Sequence, residues 1–263
     1  MAHKYRFNRY NDLEIDVAQL VSARSGTDCQ VQQEVAQEIN EWKRKIRCRP
    51  GADAALMWLR TPAELARLVP CIRALDFEIH HACRDHVMLV RRLGDRATIP
   101  DYGTHYARVE CVVVEAGTGR MLVVAERAGP GHGSPKLVTG SVSSGEHLAV
   151  AAAREVKEEA GIEARFVGVL GLANRLGTRF GKDEILVGAL LSAEPNQHPH
   201  PDDREVTRAE WVAPDEAFRC CGPLARQWLA AAASGQPPLR YGSLPDYFRR
   251  DTGNQIELHA GTM

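Results

Sequence analysis

The spacing of hydrophobic residues predicts a small first unit in the N-terminal part of the chain. Apolar positions recur every three to four residues between 31 and 47, which predicts a helix. Short apolar runs predict strands at 55–59, 77–81 and 86–90. The segment 61–64 (Thr-Pro-Ala-Glu) predicts a helix that extends to about residue 74, with Thr61 as its N-cap. The order strand, helix, strand, strand predicts an α/β unit.

Beyond about residue 103 the hydrophobic pattern predicts a larger unit of strands and helices. Apolar runs predict strands at 109–114, 121–125, 138–142, 164–172, 185–192 and 210–212. Helical spacing predicts helices at 146–160 and 214–233, and Gly161 follows the first of them in the usual position of a helix stop.

A change of composition between the two patterns predicts the domain boundary. The segment 94–102 is polar and contains Pro100, which is typical of a linker. We therefore expect one domain at 1–99, a second at 105–234, and a Gly- and Pro-rich C-terminal tail at 235–263.

Composition and charge narrow the classes of function. The chain is 44% hydrophobic and 25% charged, as in ordinary globular proteins. Because 33 Lys and Arg residues nearly balance 34 Asp and Glu residues, no overall basic field favours nucleic acid. We expect no membrane span, because the apolar runs are too short, and no signal peptide at residues 1–7. Seven cysteines without a Cys-x-x-Cys pair favour a reducing, cytoplasmic setting.

The predicted helix at 146–160 carries an unusual group of carboxylates. Glu155, Glu158 and Glu159 share one helix face, because residues three and four positions apart are neighbours. Close carboxylates repel each other by up to about 4 kcal/mol per pair, unless solvent or cations offset the charge. Hard oxygen ligands of this kind suit Mg²⁺ or Mn²⁺. A solvated Glu-rich face is the alternative interpretation of these residues taken alone.

The complete segment 140–162 is far more specific than the three glutamates. It reads Gly, five residues, Glu, seven residues, and then Arg-Glu-Val-Lys-Glu-Glu-Ala-Gly-Ile. Seven fixed identities arise by chance with a probability on the order of 10⁻⁶ over the chain. The segment resembles the Nudix box, G-x5-E-x7-R-E-U-x-E-E-x-G-U with U aliphatic, at every position. The resemblance implies a metal-dependent pyrophosphohydrolase that cleaves a diphosphate bond in a nucleoside diphosphate derivative.

The resemblance also assigns roles to the box residues. It implies that Glu158 and Glu159 are metal ligands, that Glu155 is a ligand or activates water, and that the Gly140 carbonyl is a further ligand. The implied cofactor is Mg²⁺ or Mn²⁺. Glu146 and Arg154 are implied to orient these ligands.

Three residues outside the box are further candidates. Glu205 lies six residues before Trp211, where similar Nudix proteins carry an acidic ligand or base; a surface glutamate is the alternative. Lys136 and Arg127 flank a Gly-rich loop and are candidates for binding substrate phosphates, with a surface position as the alternative.

A wider resemblance extends over roughly residues 10–215. Segments such as 77–81 (Phe-Glu-Ile-His-His) and 100–105 (Pro-Asp-Tyr-Gly-Thr-His) are similar to a two-domain Nudix subfamily that includes plant ADP-ribose and NADH pyrophosphatases and an animal antisense fibroblast-growth-factor Nudix protein. It implies a Nudix α/β/α sandwich with a mixed sheet, preceded by a small, acetyltransferase-like α/β domain. That N-terminal domain is interpreted as structural or dimerising, so a homodimer is a candidate assembly.

The surroundings of the box depart from the subfamily, which leaves the substrate open. Residues 135–140 read Pro-Lys-Leu-Val-Thr-Gly where the subfamily has Trp-Lys-Leu-Pro-Gly-Gly. ADP-ribose and NADH are the first candidate substrates. The alternatives are a capped RNA end, a nucleoside triphosphate or a prenyl diphosphate, or a non-catalytic protein that binds without turnover.

Overall fold

The computed structural model divides the chain into two compact units, Met1–Gly103 and Thr104–Met263. The residues that the structure describes are 5–8, 10, 12–21, 33, 36–37, 39–41, 44, 55–128, 132–202, 204–235, 241–243 and 257–259. Among them, no helix combines the length and the hydropathy that crossing a membrane requires.

The N-terminal unit is a five-stranded sheet with short helices, as its α/β pattern predicts. Its elements are β1 (Tyr5–Phe7), β2 (Leu13–Asp16), α1 (Val17–Val21), β3 (Leu56–Pro62), a 3-10 helix (Ala63–Leu68), α2 (Val69–Arg73), β4 (Glu78–Ala82) and β5 (His86–Arg92). The strand order is β1-β2-β3-β5-β4, so that β4 forms an edge. Every described residue of the predicted helix at 31–47 is helical, and Ile39 is buried in the core; the rest of that stretch lies outside the described residues.

The predicted helix start at Thr61 is wrong. Strand β3 continues through Thr61 to Pro62, and the Thr61 hydroxyl is buried without a hydrogen-bond partner. The following turn is a 3-10 helix without a side-chain cap. Pairing of β3 with β5 along its whole length, from Leu56 opposite Arg92 to Pro62 opposite His86, overrides the local capping preference.

The C-terminal unit is built on a seven-stranded mixed sheet. Its elements are β6 (His105–Glu115), β7 (Met121–Glu126), β8 (Pro135–Lys136), β9 (Val138–Ser141), α3 (Leu148–Ala160), β10 (Ala164–Arg175), a 3-10 helix (Arg179–Gly181), β11 (Asp183–Ala193), β12 (Val206–Val212), α4 (Pro214–Cys220), α5 (Pro223–Ala233), β13 (Tyr241–Ser243) and β14 (Glu257–His259). The main order is β10-β11-β6-β7-β12, with β9 paired to β6 and β8 to β7. Strands β6 and β11 are parallel, and β13 pairs with β14 apart from this sheet.

Helices cover both faces of this sheet, so the predicted α/β/α sandwich is confirmed. Val109 and Cys111 of β6 pack with α3, whereas Val112 packs with α5, because successive strand residues face opposite sides. The prediction of one helix over 214–233 is wrong. The first helix ends at Cys220, and a second helix begins at Pro223.

Candidate active site

Strand β9 approaches helix α3 closely at Gly140, where the side chain of Glu155 occupies the space that a Cβ would take. A Cβ added at Gly140 would lie 1.8 Å from Cδ of Glu155. The register holds Gly140 opposite Val109 of β6, in the middle of the sheet. Val156 and Ala160 of α3 are fully buried against the sheet. The fold thus presses the Glu155 carboxylate against the backbone of β9.

Arg154 joins the carboxylates of the box. Its Nε and Nη2 donate to the two oxygens of Glu146 at 2.7 and 2.9 Å. Its Nη1 donates to Glu155 Oε1 and to Glu158 Oε2, both at 2.8 Å. Its Nη2 also donates to the carbonyl of Ser141 at 2.9 Å, which ties the end of β9 to α3. Planar, forked guanidinium geometry suits this arrangement, and a lysine could not reproduce it.

These contacts shift the ionisation of Glu146 and Arg154 in opposite directions. Hydrogen bonds from Arg154, and then from the backbone of Ser143, lower the pKa of Glu146 to about 2. Hydrogen bonding to Glu146 raises the pKa of Arg154. The pair is therefore ionised throughout the neutral range.

Glu159 is the carboxylate of the box that lacks such compensation. Its side chain is buried, at 6% exposure, and Oε2 has no hydrogen-bond partner. Burial raises its pKa to about 7, and the nearby charges of Glu155, Glu205 and Glu126 add to the increase. Lys136 opposes this effect without cancelling it. A buried oxygen without a partner, among hard oxygen donors, is what a divalent cation such as Mg²⁺ would satisfy.

The predicted ligands line one acidic cavity of about 570 Å³. Its lining residues are Arg108, Glu126, Thr139, Gly140, Ser141, Glu155, Glu158, Glu159, Arg179, Asp202, Arg204, Glu205 and Val206. Glu205, predicted from its spacing to Trp211, thus belongs to the same cavity as the box residues. Glu126 and Asp202 are acidic residues of this cavity that the sequence did not reveal.

Asp202 shapes the loop that carries Glu205. Its Oδ1 accepts hydrogen bonds from the backbone N–H groups of Arg204, Glu205 and Val206 at 3.0 to 3.1 Å. Burial alone would raise the pKa of Asp202, but these backbone hydrogen bonds outweigh burial and lower it. An aspartate that precedes a turn is the local signal that could have identified this residue.

A second cavity, of about 360 Å³, shares part of its lining with the first. The shared residues are Arg108, Ser141 and Arg179; the others are Tyr106, Arg175, Thr178, Phe180 and Glu184. The ring of Phe180 is 87% exposed, and its backbone has a φ of 58°, in the left-handed region. Phe180 is therefore not a core residue. The cavity combines guanidinium groups with exposed aromatic rings.

Lys136 and Arg127, the predicted phosphate-binding residues, line neither of the two cavities. Lys136 Nζ lies 2.5 Å from Glu126 Oε1. Its positive charge opposes the increase in the pKa of Glu159, which lines the acidic cavity. Arg127 is exposed, and its backbone N–H donates to the carbonyl of Glu205 at 2.8 Å. Arg108 and Arg179 line both cavities instead. No linear motif marks them, because they meet only when β6 and the loop before β11 fold together.

Comparisons with known proteins agree with this architecture. A family profile described as NUDIX domain matches residues 105–232, and one described as Nudix hydrolase domain matches residues 4–93. Nudix hydrolase 7 of Arabidopsis thaliana is 38% identical over 161 residues, which cover 59% of this chain and 56% of that protein. Nucleoside diphosphate-linked moiety X motif 6 of Xenopus laevis is 32% identical over 160 residues, covering 59% of this chain and 72% of that protein.

The matches extend over only part of the chain and of most relatives. The alignment spans little more than half the length of the plant relatives, 56% for Nudix hydrolase 7 and 58% for Nudix hydrolase 6 of the same plant. The crystal structure of MutT NUDIX hydrolase from Burkholderia pseudomallei is 23% identical and covers 48% of this chain and 97% of that one, with a TM-score of 0.39.

Proposed function

Because this chain belongs to the Nudix hydrolase family, we propose that it hydrolyses the diphosphate bond of a nucleoside diphosphate derivative with the help of a divalent metal. The observation that carries the proposal is the convergence of carboxylates around the buried, unpartnered oxygen of Glu159. A bound cation would offset the repulsion between Glu159 and the neighbouring carboxylates of Glu155, Glu205 and Glu126.

The residues present fit Mg²⁺ or Mn²⁺. Glu155, Glu158 and Glu159, together with the Gly140 carbonyl, would hold the ion, since all four residues line one cavity and offer hard oxygens. When bound, such an ion neutralises phosphate charge and lowers the pKa of a coordinated water. The absence of a side chain at Gly140 lets the Glu155 carboxyl group lie close to this part of the backbone.

The remaining box residues would hold these ligands in position. Arg154 engages one oxygen each of Glu155 and Glu158, which fixes the orientation of both carboxylates. Glu146 in turn holds the guanidinium of Arg154 through two hydrogen bonds. Glu205 would accept the proton of the attacking water, or contribute a further oxygen ligand, from the same cavity.

We propose ADP-ribose or NADH as the first candidate substrates. Both carry a diphosphate that joins adenosine to a second, ribose-containing group, and the name of the Xenopus relative refers to a nucleoside diphosphate-linked moiety. The second cavity supports this choice, because Tyr106 and Phe180 can stack on a base while Arg108 and Arg179 contact phosphate oxygens. The two arginines also line the acidic cavity, so a diphosphate at their position would lie beside the carboxylates.

Product formation from a substrate panel tests the proposal. The panel contains ADP-ribose, NADH, NAD⁺, nucleoside triphosphates, capped RNA and prenyl diphosphates, each with Mg²⁺ and with Mn²⁺. We expect AMP from ADP-ribose or NADH, and a loss of about 10²–10³-fold in kcat in Glu158→Gln, which removes one charge from the site. Chromatographic separation of the products measures both results.

Glu163→Gln is the matched control for this experiment. Glu163 is an exposed glutamate just beyond α3 that pairs with Lys157, outside both cavities, so its activity should equal that of the wild type. Folded protein that forms no product from any substrate of the panel would support the non-catalytic alternative. Product formed only from capped RNA or a prenyl diphosphate would support the proposed hydrolysis but contradict the proposed substrates.

A further inference from the structure

The hairpin of β4 and β5 brings metal-binding side chains together at the edge of the N-terminal sheet. The backbone N–H of Cys83 donates to the carbonyl of His86 at 2.8 Å, which closes a turn around Arg84 and Asp85. Residues opposite each other beside such a turn have neighbouring side chains, so Cys83 and His86 lie side by side. His81 precedes Cys83 by two positions, which places both on the same strand face.

A β-bulge turns His80 toward His81. Ile79 pairs with Leu89 and His81 pairs with Met88, so that β4 contains one residue more than β5 at this point. Neighbouring residues on a regular strand face opposite sides, but a bulge changes this direction. The rings of His80 and His81 are consequently in contact, with 2.6 Å between their Nδ1 atoms.

The hydrogen bonds determine which ring nitrogen of His81 has a lone pair that can bind a metal ion. His80 Nε2 lies 2.7 Å from the carbonyl of Pro100, which can only accept, so this nitrogen carries the proton. Neutral His80 therefore accepts at Nδ1, and His81 must donate from its own Nδ1. The Nε2 of neutral His81 is left with a lone pair.

His86 has the same tautomer for a different reason. Its Nδ1 lies 2.8 Å from Oδ1 of Asp85, and a carboxylate accepts, so the proton is on Nδ1. The lone pair of neutral His86 is then on Nε2. A carboxylate behind a histidine is the usual second partner of a metal-binding imidazole, since it fixes the ring and increases its basicity.

We propose that His81, Cys83 and His86 form a binding site for a zinc-like divalent transition metal. One ligand atom from each residue lies within 4.8 Å of the other two, which requires only a small closure around an ion. Two imidazoles and a thiolate select borderline and soft metals such as Zn²⁺, whereas carboxylates and carbonyls select Mg²⁺. The site therefore differs in chemistry from the acidic cavity of the other unit.

Tyr102 supports this geometry from the segment that follows β5. Its ring stacks on His81 with centroids 4.0 Å apart and planes 3° from parallel. Its hydroxyl lies 3.9 Å from Cys83 Sγ. Three protein ligands leave a fourth tetrahedral position to water or another donor. A bound ion would link the end of β4, the edge strand of this sheet, to the start of β5.

Cobalt absorption tests the proposal without reference to hydrolysis. The full chain is reduced, stripped with a chelator, and titrated with Co²⁺ in excess Mg²⁺, which saturates the carboxylate cavity. We expect about one equivalent of Co²⁺ with tetrahedral visible bands and a thiolate-to-cobalt charge-transfer band, both removed by added Zn²⁺. A carboxylate site gives no thiolate band, so the two metal sites are distinguished.

Variants of the hairpin make the test specific. Cys83→Ser should abolish the charge-transfer band, and His86→Asn should weaken Co²⁺ binding. Asp85→Asn should lower the affinity by about 10–100-fold, as expected for a residue that positions a ligand. Cys71→Ser is the matched control, because Cys71 is a free thiol of the same unit that hydrogen-bonds to the carbonyl of Leu68.

Two results would overturn the proposal. One is wild-type protein that binds no Co²⁺ with a thiolate band. The other is a band that persists unchanged in folded Cys83→Ser and His86→Asn. Thermal unfolding of each variant identifies those that are folded, and His86→Asn, with Cys83 intact, provides an independent variant if Cys83→Ser does not fold.

Discussion

At the scale of single residues, Glu159 shows how the fold buries a carboxylate without a hydrogen-bond partner for one of its oxygens. Its neighbours on α3 are held by Arg154, whereas its own Oε2 is buried without a partner. Burial and the surrounding glutamates raise its pKa to about 7, so that the metal-free protein holds a proton there near neutrality. A bound cation would replace that proton.

This ionisation predicts that the metal-free protein becomes less stable as the pH rises. Between about pH 4.5 and pH 7 the folded state binds more protons at Glu159 than the unfolded chain does, so the free energy of unfolding falls with pH. The expected decrease from this group is about 3 kcal/mol. Urea unfolding of metal-free wild type at about pH 5 and about pH 8 measures it.

Glu159→Gln provides the comparison for that measurement, because an amide does not titrate. The difference in unfolding free energy between variant and wild type should change with pH in the same interval. Saturating Mg²⁺ should restore the stability of the wild type near pH 8 and leave the variant less affected. A pH dependence identical in the two proteins would contradict the assigned ionisation of Glu159.

At the scale of elements, the contact between β9 and α3 decides whether the box can form a site. Gly140 and Glu155 come from different elements, and their separation depends on how deeply Val156 and Ala160 pack into the sheet. Glycine at the first position of the box leaves room for the Glu155 carboxyl group, since a Cβ there would overlap this group in its present position.

Gly140→Ala should displace Glu155 and lower activity more than stability. The overlap at 1.8 Å must be relieved by moving the flexible end of Glu155 or the strand. We expect a loss of roughly 1–3 kcal/mol in the free energy of unfolding. We also expect at least about a 10-fold loss in kcat, with a higher Mg²⁺ concentration needed for half-maximal rate.

Gly222→Ala is the matched control for the strand variant. A Cβ at Gly222 meets nothing within 4 Å, and its φ of −69° is ordinary for alanine. Its activity and metal requirement should equal those of the wild type. Equal kinetics in Gly140→Ala and Gly222→Ala would show that the close approach at β9 has no role in the site.

At the scale of the whole molecule, each of the two units has its own hydrophobic core. The buried clusters of the first unit contain only residues before Gly103, and those of the second contain only residues after it. Both cavities of the proposed active site are lined by residues between Tyr106 and Val206.

A chain of residues 104–263 should therefore fold and retain hydrolysis. We expect kcat and KM within a few-fold of the full chain on the same substrate, because every residue lining the two cavities is kept. Circular dichroism and steady-state kinetics of the shortened protein measure this. An insoluble or inactive product would mean that the N-terminal unit is required for the active fold.

The sequence alone determined the box helix and the face that its glutamates share, because both depend on local spacing. Glutamates three and four residues apart share a helix face in any fold, and Gly161 ends the helix through its own backbone, with a φ of 69°. Hydrophobic periodicity predicted the strands and helices of the second unit, whereas the sandwich was implied by the resemblance of the box.

Tertiary structure decided everything that depends on contacts between distant segments. It brought Glu126, Asp202 and Arg108 to the box, and it kept Thr61 in a strand despite its capping signal. The local sequence around His81 specified neither the bulge nor the carbonyl of Pro100, which together orient its ring. Strand register and long-range packing are properties of the folded chain as a whole, and no short window of sequence contains them.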